Sequence, residues 1–71
     1  MTKEQFDMLS PYLDRLELMR RSHVLLLSAD EVKDIARITG QSCNFRCNND
    51  RYALCVRVLR QIDEYKKNNN L

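Results

Sequence analysis

Phe6, Leu9, Leu13 and Leu16 recur along the chain at three- and four-residue steps, and Met8, Tyr12 and Met19 widen the stripe to one side. Such spacing is the core face of an amphipathic helix. Thr2 and Gln5 stand three apart just ahead of it and fit a capping box, in which each side chain bonds the other residue's backbone N–H. Pro11 falls on the opposite, polar face with Glu4, Asp7, Asp14 and Arg15. There the helix either bends or gives way to a second one that Ser10 and Pro11 start as N-cap and first residue. One helix with a kink is the preferred reading.

A second box, Ser28 with Glu31, opens a helix over about residues 29 to 39, with Val32, Ile35, Ala36 and Ile38 as its apolar face and Gly40 as the residue just past its end. The Val24 to Leu27 run before it cannot point one way on a helix or a strand, so it is expected to be a buried connector between helices one and two. Residues 41 to 49 are polar and Asn-rich, the composition of a turn, with Asn49 or Asp50 suited to cap the last helix. That helix has a main stripe of Tyr52, Cys55, Val56, Leu59 and Ile62. A second stripe, Leu54, Val58 and Tyr65, lies about 100° around the helix. Only Arg57, Arg60, Gln61 and Glu64 form a polar face. A helix this apolar either packs against two neighbours or offers one side to a partner.

The pattern therefore predicts an all-α, three-helix domain over residues 1–67, its first helix kinked at Pro11, with a tail at 68–71 that frays. Its expected core is Phe6, Leu9, Leu13, Leu16 and Leu26 from the first half, Val32 and Ile35 from helix two, and Cys55, Leu59 and Ile62 from helix three.

Composition narrows the chemistry. Seventy-one residues make one domain, whose core gives roughly 3 to 5 kcal/mol unaided. So small a chain has little room to enclose a substrate, and no small-molecule substrate is expected. One Gly and one Pro suit long helices and leave no glycine-rich phosphate loop. No apolar run is long enough to span a bilayer, and the acidic opening "MTKEQFDM" is unlike an export signal. With an odd number of cysteines, reduced thiols and a cytoplasmic location are expected. The net charge of +2 conceals an asymmetry: residues 1 to 39 hold six Lys/Arg against seven Asp/Glu, residues 40 to 71 six against three.

The three cysteines raise the sharpest question of chemistry. Zinc takes four tetrahedral ligands, and only His23 could complete a set with Cys43, Cys47 and Cys55. The C-x3-C-x7-C spacing is not a recurrent zinc pattern, so neither metal nor other cofactor is expected. Cys55 instead sits in the core stripe of helix three, while Cys43 and Cys47 belong to the turn. His23 has no marked partner for nucleophilic catalysis. Asp30, Glu31 and Asp34 crowd the first turns of helix two, where the helix dipole accounts for them. No catalytic residue is assigned, and the chain reads as non-enzymatic.

Two stretches resemble known families. Val32 to Ser42, "VKDIARITGQS", resembles the first helix and turn of a Lac-repressor-type helix-turn-helix, with Ala36 facing the partner helix and Gly40 in the turn. That resemblance implies DNA binding, with Arg46, Arg51, Arg57 and Arg60 as the candidates for phosphate and base contacts. In that family the recognition helix follows the turn almost at once, whereas about ten residues, "QSCNFRCNND", intervene here. The opening "MTKEQFDMLSPYLDRLE", with Phe6, Leu9, Pro11 and Tyr12, the cysteine-bearing turn and the closing "LRQIDEYKKN" resemble short helical proteins of phages and mobile elements of gut Bacteroidota. That group implies no catalytic residues. The expectation is a binding module that works by protein–protein contact or self-association through Leu54, Val58, Tyr65 and Leu18. Nucleic-acid binding through the arginines is the alternative.

Overall fold

The computed structural model describes residues 1–71. Its elements are α1 (Lys3–Leu9), a 3₁₀ turn (Ser10–Tyr12), α2 (Leu13–Ser22), α3 (Ala29–Thr39) and α4 (Asn48–Asn68). No strand forms, and the molecule is a three-helix, all-α protein because α1, the turn and α2 make one bent helix.

Both capping boxes are in place. Thr2 Oγ1 accepts from the Gln5 N–H at 3.1 Å while Gln5 Oε1 accepts from the Thr2 N–H at 2.8 Å, and Ser28 and Glu31 repeat the exchange at 3.2 and 3.0 Å. Gln5 does a second job: its Nε2 donates to the Ile38 carbonyl at 3.1 Å, fastening the start of α1 to the end of α3.

The bend at Pro11 is the kink the polar-face proline implied. Pro11 has no N–H for the Asp7 carbonyl, and its ring crowds that carbonyl. The chain responds by tightening: Ser10 N–H donates to Asp7 and Leu13 N–H to Ser10, both across three residues. Leu9, Ser10, Tyr12 and Leu13 all keep right-handed helical angles, and no side chain caps α2, so Ser10 does not begin a separate helix. The consequence is that α1 packs on α3 while α2 packs on α4. At the bend Tyr12 Oη donates to Asp34 Oδ2 at 2.5 Å, and Arg15 pairs with Glu31 one turn earlier on α3.

The core draws on every helix. Leu9, Leu16, Val32, Ile35, Cys55, Leu59 and Ile62 are buried as the periodicity implied, and Phe6 and Leu13 pack half-buried against them. Two expectations are corrected. Leu26 is exposed and Leu27 takes its place, because the connector runs extended: Leu25 and Leu27 turn inward and Val24 and Leu26 outward. More consequentially, Leu54 and Val58 are 0 % exposed, so the second stripe of α4 is core and not a free face. The helix has two neighbours, α2 and α3, and both stripes are used. Tyr65, at the end of that stripe, stacks on Phe6 of α1 with ring centroids 4.8 Å apart.

Helix ends follow local chemistry. Gly40 ends α3 in the left-handed conformation at φ 71°. At the end of α2 the same position falls to His23, at φ 59°, whose N–H donates to the Met19 carbonyl at 2.8 Å. α4 starts earlier than the sequence suggested, with Cys47 as N-cap and no side-chain bond there. Residues 68–71, where fraying was expected, carry a Schellman end: Asn70 is left-handed at φ 56° and the Leu71 N–H reaches the Lys66 carbonyl at 2.8 Å.

Three outcomes test this packing. Leu54→Ala should cost about 2 to 5 kcal/mol in urea unfolding, as a cavity in a close-packed core does, against less than about 0.5 kcal/mol for a surface position. His23→Gly removes a side chain from a left-handed position and should raise stability by about 1 kcal/mol. The Tyr12 hydroxyl and Arg37 hold the Asp34 carboxyl below its ordinary value, and the Ser28 N–H and Arg15 do the same for Glu31. Both carboxylates therefore stabilise the fold above the ordinary carboxylate range near pH ~4. That contribution is lost as pH falls through their lower folded values. Unfolding midpoints measured against pH should show this acid loss, and Asp34→Asn should flatten it.

Candidate contact groove and the arginine-tied turn

The turn between α3 and α4 is built, residue by residue, as a strap. Gln41, Cys43, Phe45 and Cys47 are half-buried and the residues between them are exposed, the alternation of an extended chain lying on a surface. Cys43 and Phe45 pack against the core. Two arginines of α4 hold the strap down. Arg57 donates from Nε to Gln41 Oε1 and from its terminal nitrogen to the Ser42 carbonyl, each at 3.2 Å. Arg51 donates to the Phe45 carbonyl and, at 3.4 Å, to Asn48 Oδ1. A tight β-turn closes the strap, the Cys47 N–H reaching the Asn44 carbonyl at 3.0 Å.

This geometry divides the four arginines of the helix-turn-helix alternative. Arg51 and Arg57 are spent on carbonyls of their own chain. Arg46 and Arg60 are exposed and make no ion pair. Eight residues separate α3 from α4, and they are a packed strap in place of the short turn that family uses.

The cysteines divide as well. Cys55 is fully buried, and burial pushes its thiol up to about 11. Burial, with Asp50 nearby, raises Cys43 too. Both therefore stay protonated at neutral pH, whereas nucleophilic attack needs the thiolate. No three His, Cys, Asp or Glu side chains come together as a metal site, so Cys43, Cys47, Cys55 and His23 form no zinc set. All three thiols are free.

The open apolar surface lies along the seam between α2 and α4, on the side that α3 does not cover. Met19 and Leu59 form the floor of a groove of about 350 Å³, and Tyr52 and Val56 form its wall. Arg20 and Asp63, paired at 3.0 Å, lie together on its rim, with Arg60 and His23 also lining it. A shallower depression continues from His23 and Tyr52 past Leu25 to Asn48 and Asn49, at the uncapped start of α4. Of the four residues expected to meet a partner, only Leu18, at 46 % exposure, offers a large apolar surface; Leu54 and Val58 are inside and Tyr65 is committed to Phe6. Tyr52 and Val56, on the main stripe, are partly buried, packing against the core and lining the groove. They sit at the edge of that stripe, one turn apart, where a helix face meets the seam.

Neither a family model, a curated protein nor a solved structure matches the chain. No helix is long and apolar enough to cross a membrane.

If Arg57 holds the strap, Arg57→Ala should free its first residues. Cys43 should then react several-fold faster with a disulfide reagent, followed peptide by peptide by mass spectrometry, while Cys55 stays slow. Equal acceleration at Cys55 would instead mean that the whole domain has loosened.

Proposed function

We propose that the protein is a non-enzymatic helical binding module that acts by protein–protein contact, and that its contact site is the α2–α4 groove. The observation that carries this reading is the half-exposed pair Tyr52 and Val56 above a floor of Met19 and Leu59. Aromatic side chains beside an arginine, in a groove with a polar rim, are the composition favoured at the centre of protein interfaces. Three helices fill only one side of the α2–α4 seam, so the other side is available without any change in the fold. The low thiolate content of Cys43 and Cys55 supports the non-enzymatic reading. The likeness of the opening and closing segments to short helical proteins of phages and mobile elements supports an origin there, which neighbouring capsid, integrase or conjugation genes would corroborate.

Protein contact is preferred to DNA binding because two of the four candidate arginines are occupied. Duplex binding through Arg46 and Arg60 alone would give a shallow dependence on salt.

A photo-crosslinking residue at Val56, compared with one at the exposed position Lys33 on α3, tests the reading in cells that make the protein. Defined protein adducts are expected from position 56 and not from 33. Adducts from both or neither, or retention of duplex DNA at low salt that disappears in Arg60→Ala, would overturn it.

A further inference from the structure

The occupant of this groove can be narrowed by charge. Arg20 is neutralised by Asp63. Arg60 has no carboxylate within ion-pairing distance, although Glu64 is one turn on, and at the other end of the surface the first turn of α4 has no side-chain cap but carries Asp50. The groove is apolar below and its unpaired charge is that of Arg60, which suits an apolar ridge flanked by carboxylates.

The chain carries such a ridge. On the outward face of the bent first helix, Met8 is 44 % exposed and Pro11 is exposed beside it, with Glu4, Asp7 and Asp14 alongside. Lys3 sits 3.5 Å from Asp7, and Arg15 is turned away to Glu31, which leaves Glu4 and Asp14 unpaired. Leu18 extends the ridge, with the exposed Arg21 beyond it.

Resting on the reading of the groove as a protein-contact site, we infer that its occupant is a second copy of this chain, whose Glu4–Asp14 ridge seats in the α2–α4 groove. Like charges oppose ridge on ridge and Arg60 on Arg60, so each contact pairs the ridge of one copy with the groove of the other. A ridge of three helical turns covers less than the about 800 Å² per partner of a standard interface, so association is weak and salt-sensitive.

The pairing of ridge with groove gives a test that uses only purified protein, kept reduced so that its thiols cannot cross-link. Sedimentation of the wild type at low salt should show mass rising with concentration, and the rise should disappear at high salt. Arg60→Glu, which spoils the groove, and the double variant Glu4→Lys/Asp14→Lys, which spoils the ridge, should each be monomeric with an unchanged helical spectrum. Mixed, they should associate again, because one keeps the acidic ridge and the other the groove with Arg60. A monomeric wild type, a self-associating single variant, or a mixture that stays monomeric would overturn the inference. If the purified chain is monomeric and position 56 nevertheless cross-links to a different protein in cells, the groove keeps its role and only the second copy is excluded.

Discussion

The two apolar stripes of α4 set the plan of the molecule. Leu54 and Val58 lie on one, and Cys55, Leu59 and Ile62 on the other, about 100° around the helix, and all five are buried. A helix with two faces to bury needs two neighbours, and a chain of this length can supply them only by placing α3 on one side and the first helix on the other. The first helix then has two tasks, to cover α4 and to close on α3, and a straight helix would do one. The bend at Pro11 divides the work, with α1 on α3 and α2 on α4. A proline that would weaken an ordinary helix interior is here the device that lets one helix serve two partners.

The connections follow from the same constraint. Between α2 and α3 the chain must cross the end of the bundle, and it does so by alternating, with Leu25 and Leu27 in and Val24 and Leu26 out. Between α3 and α4 it alternates again from Gln41 to Cys47. Neither stretch forms a strand, so their backbone groups have no ladder, and side chains take over part of that task. Arg51 and Arg57 donate to the Phe45 and Ser42 carbonyls of the strap. These two arginines are fixed by their own chain.

Much of this was legible in the residues. The capping boxes at Thr2 and Ser28, Gly40 at the end of α3, and the run of Leu9, Leu16, Val32, Ile35, Cys55, Leu59 and Ile62 are local signals, and local signals survive folding. What periodicity could not tell was whether α4's second stripe would meet a neighbour or stay free, because that depends on how α1 and α2 are shared out. For the same reason Tyr52 and Val56, on the main stripe, both pack on the core and line the groove. The strap was read as a polar turn because asparagines dominate its composition. Its alternation of Gln41, Cys43, Phe45 and Cys47 was present but short, and without a partner strand it carried no weight.

The groove is a consequence of having only three helices. Every pair of packed helices has a seam with two sides; α3 fills one side of the α2–α4 seam and nothing in this chain fills the other. An isolated domain could close such a seam by making its edge residues polar, as the α4 face holding Arg57 and Glu64 is polar. Here the edge is Tyr52 and Val56, with Arg60 left unpaired. Both side chains are partly buried and pack against the core, and their outer parts line the groove. The apolar part of that edge that stays open is the ground on which we propose the α2–α4 seam as the contact site.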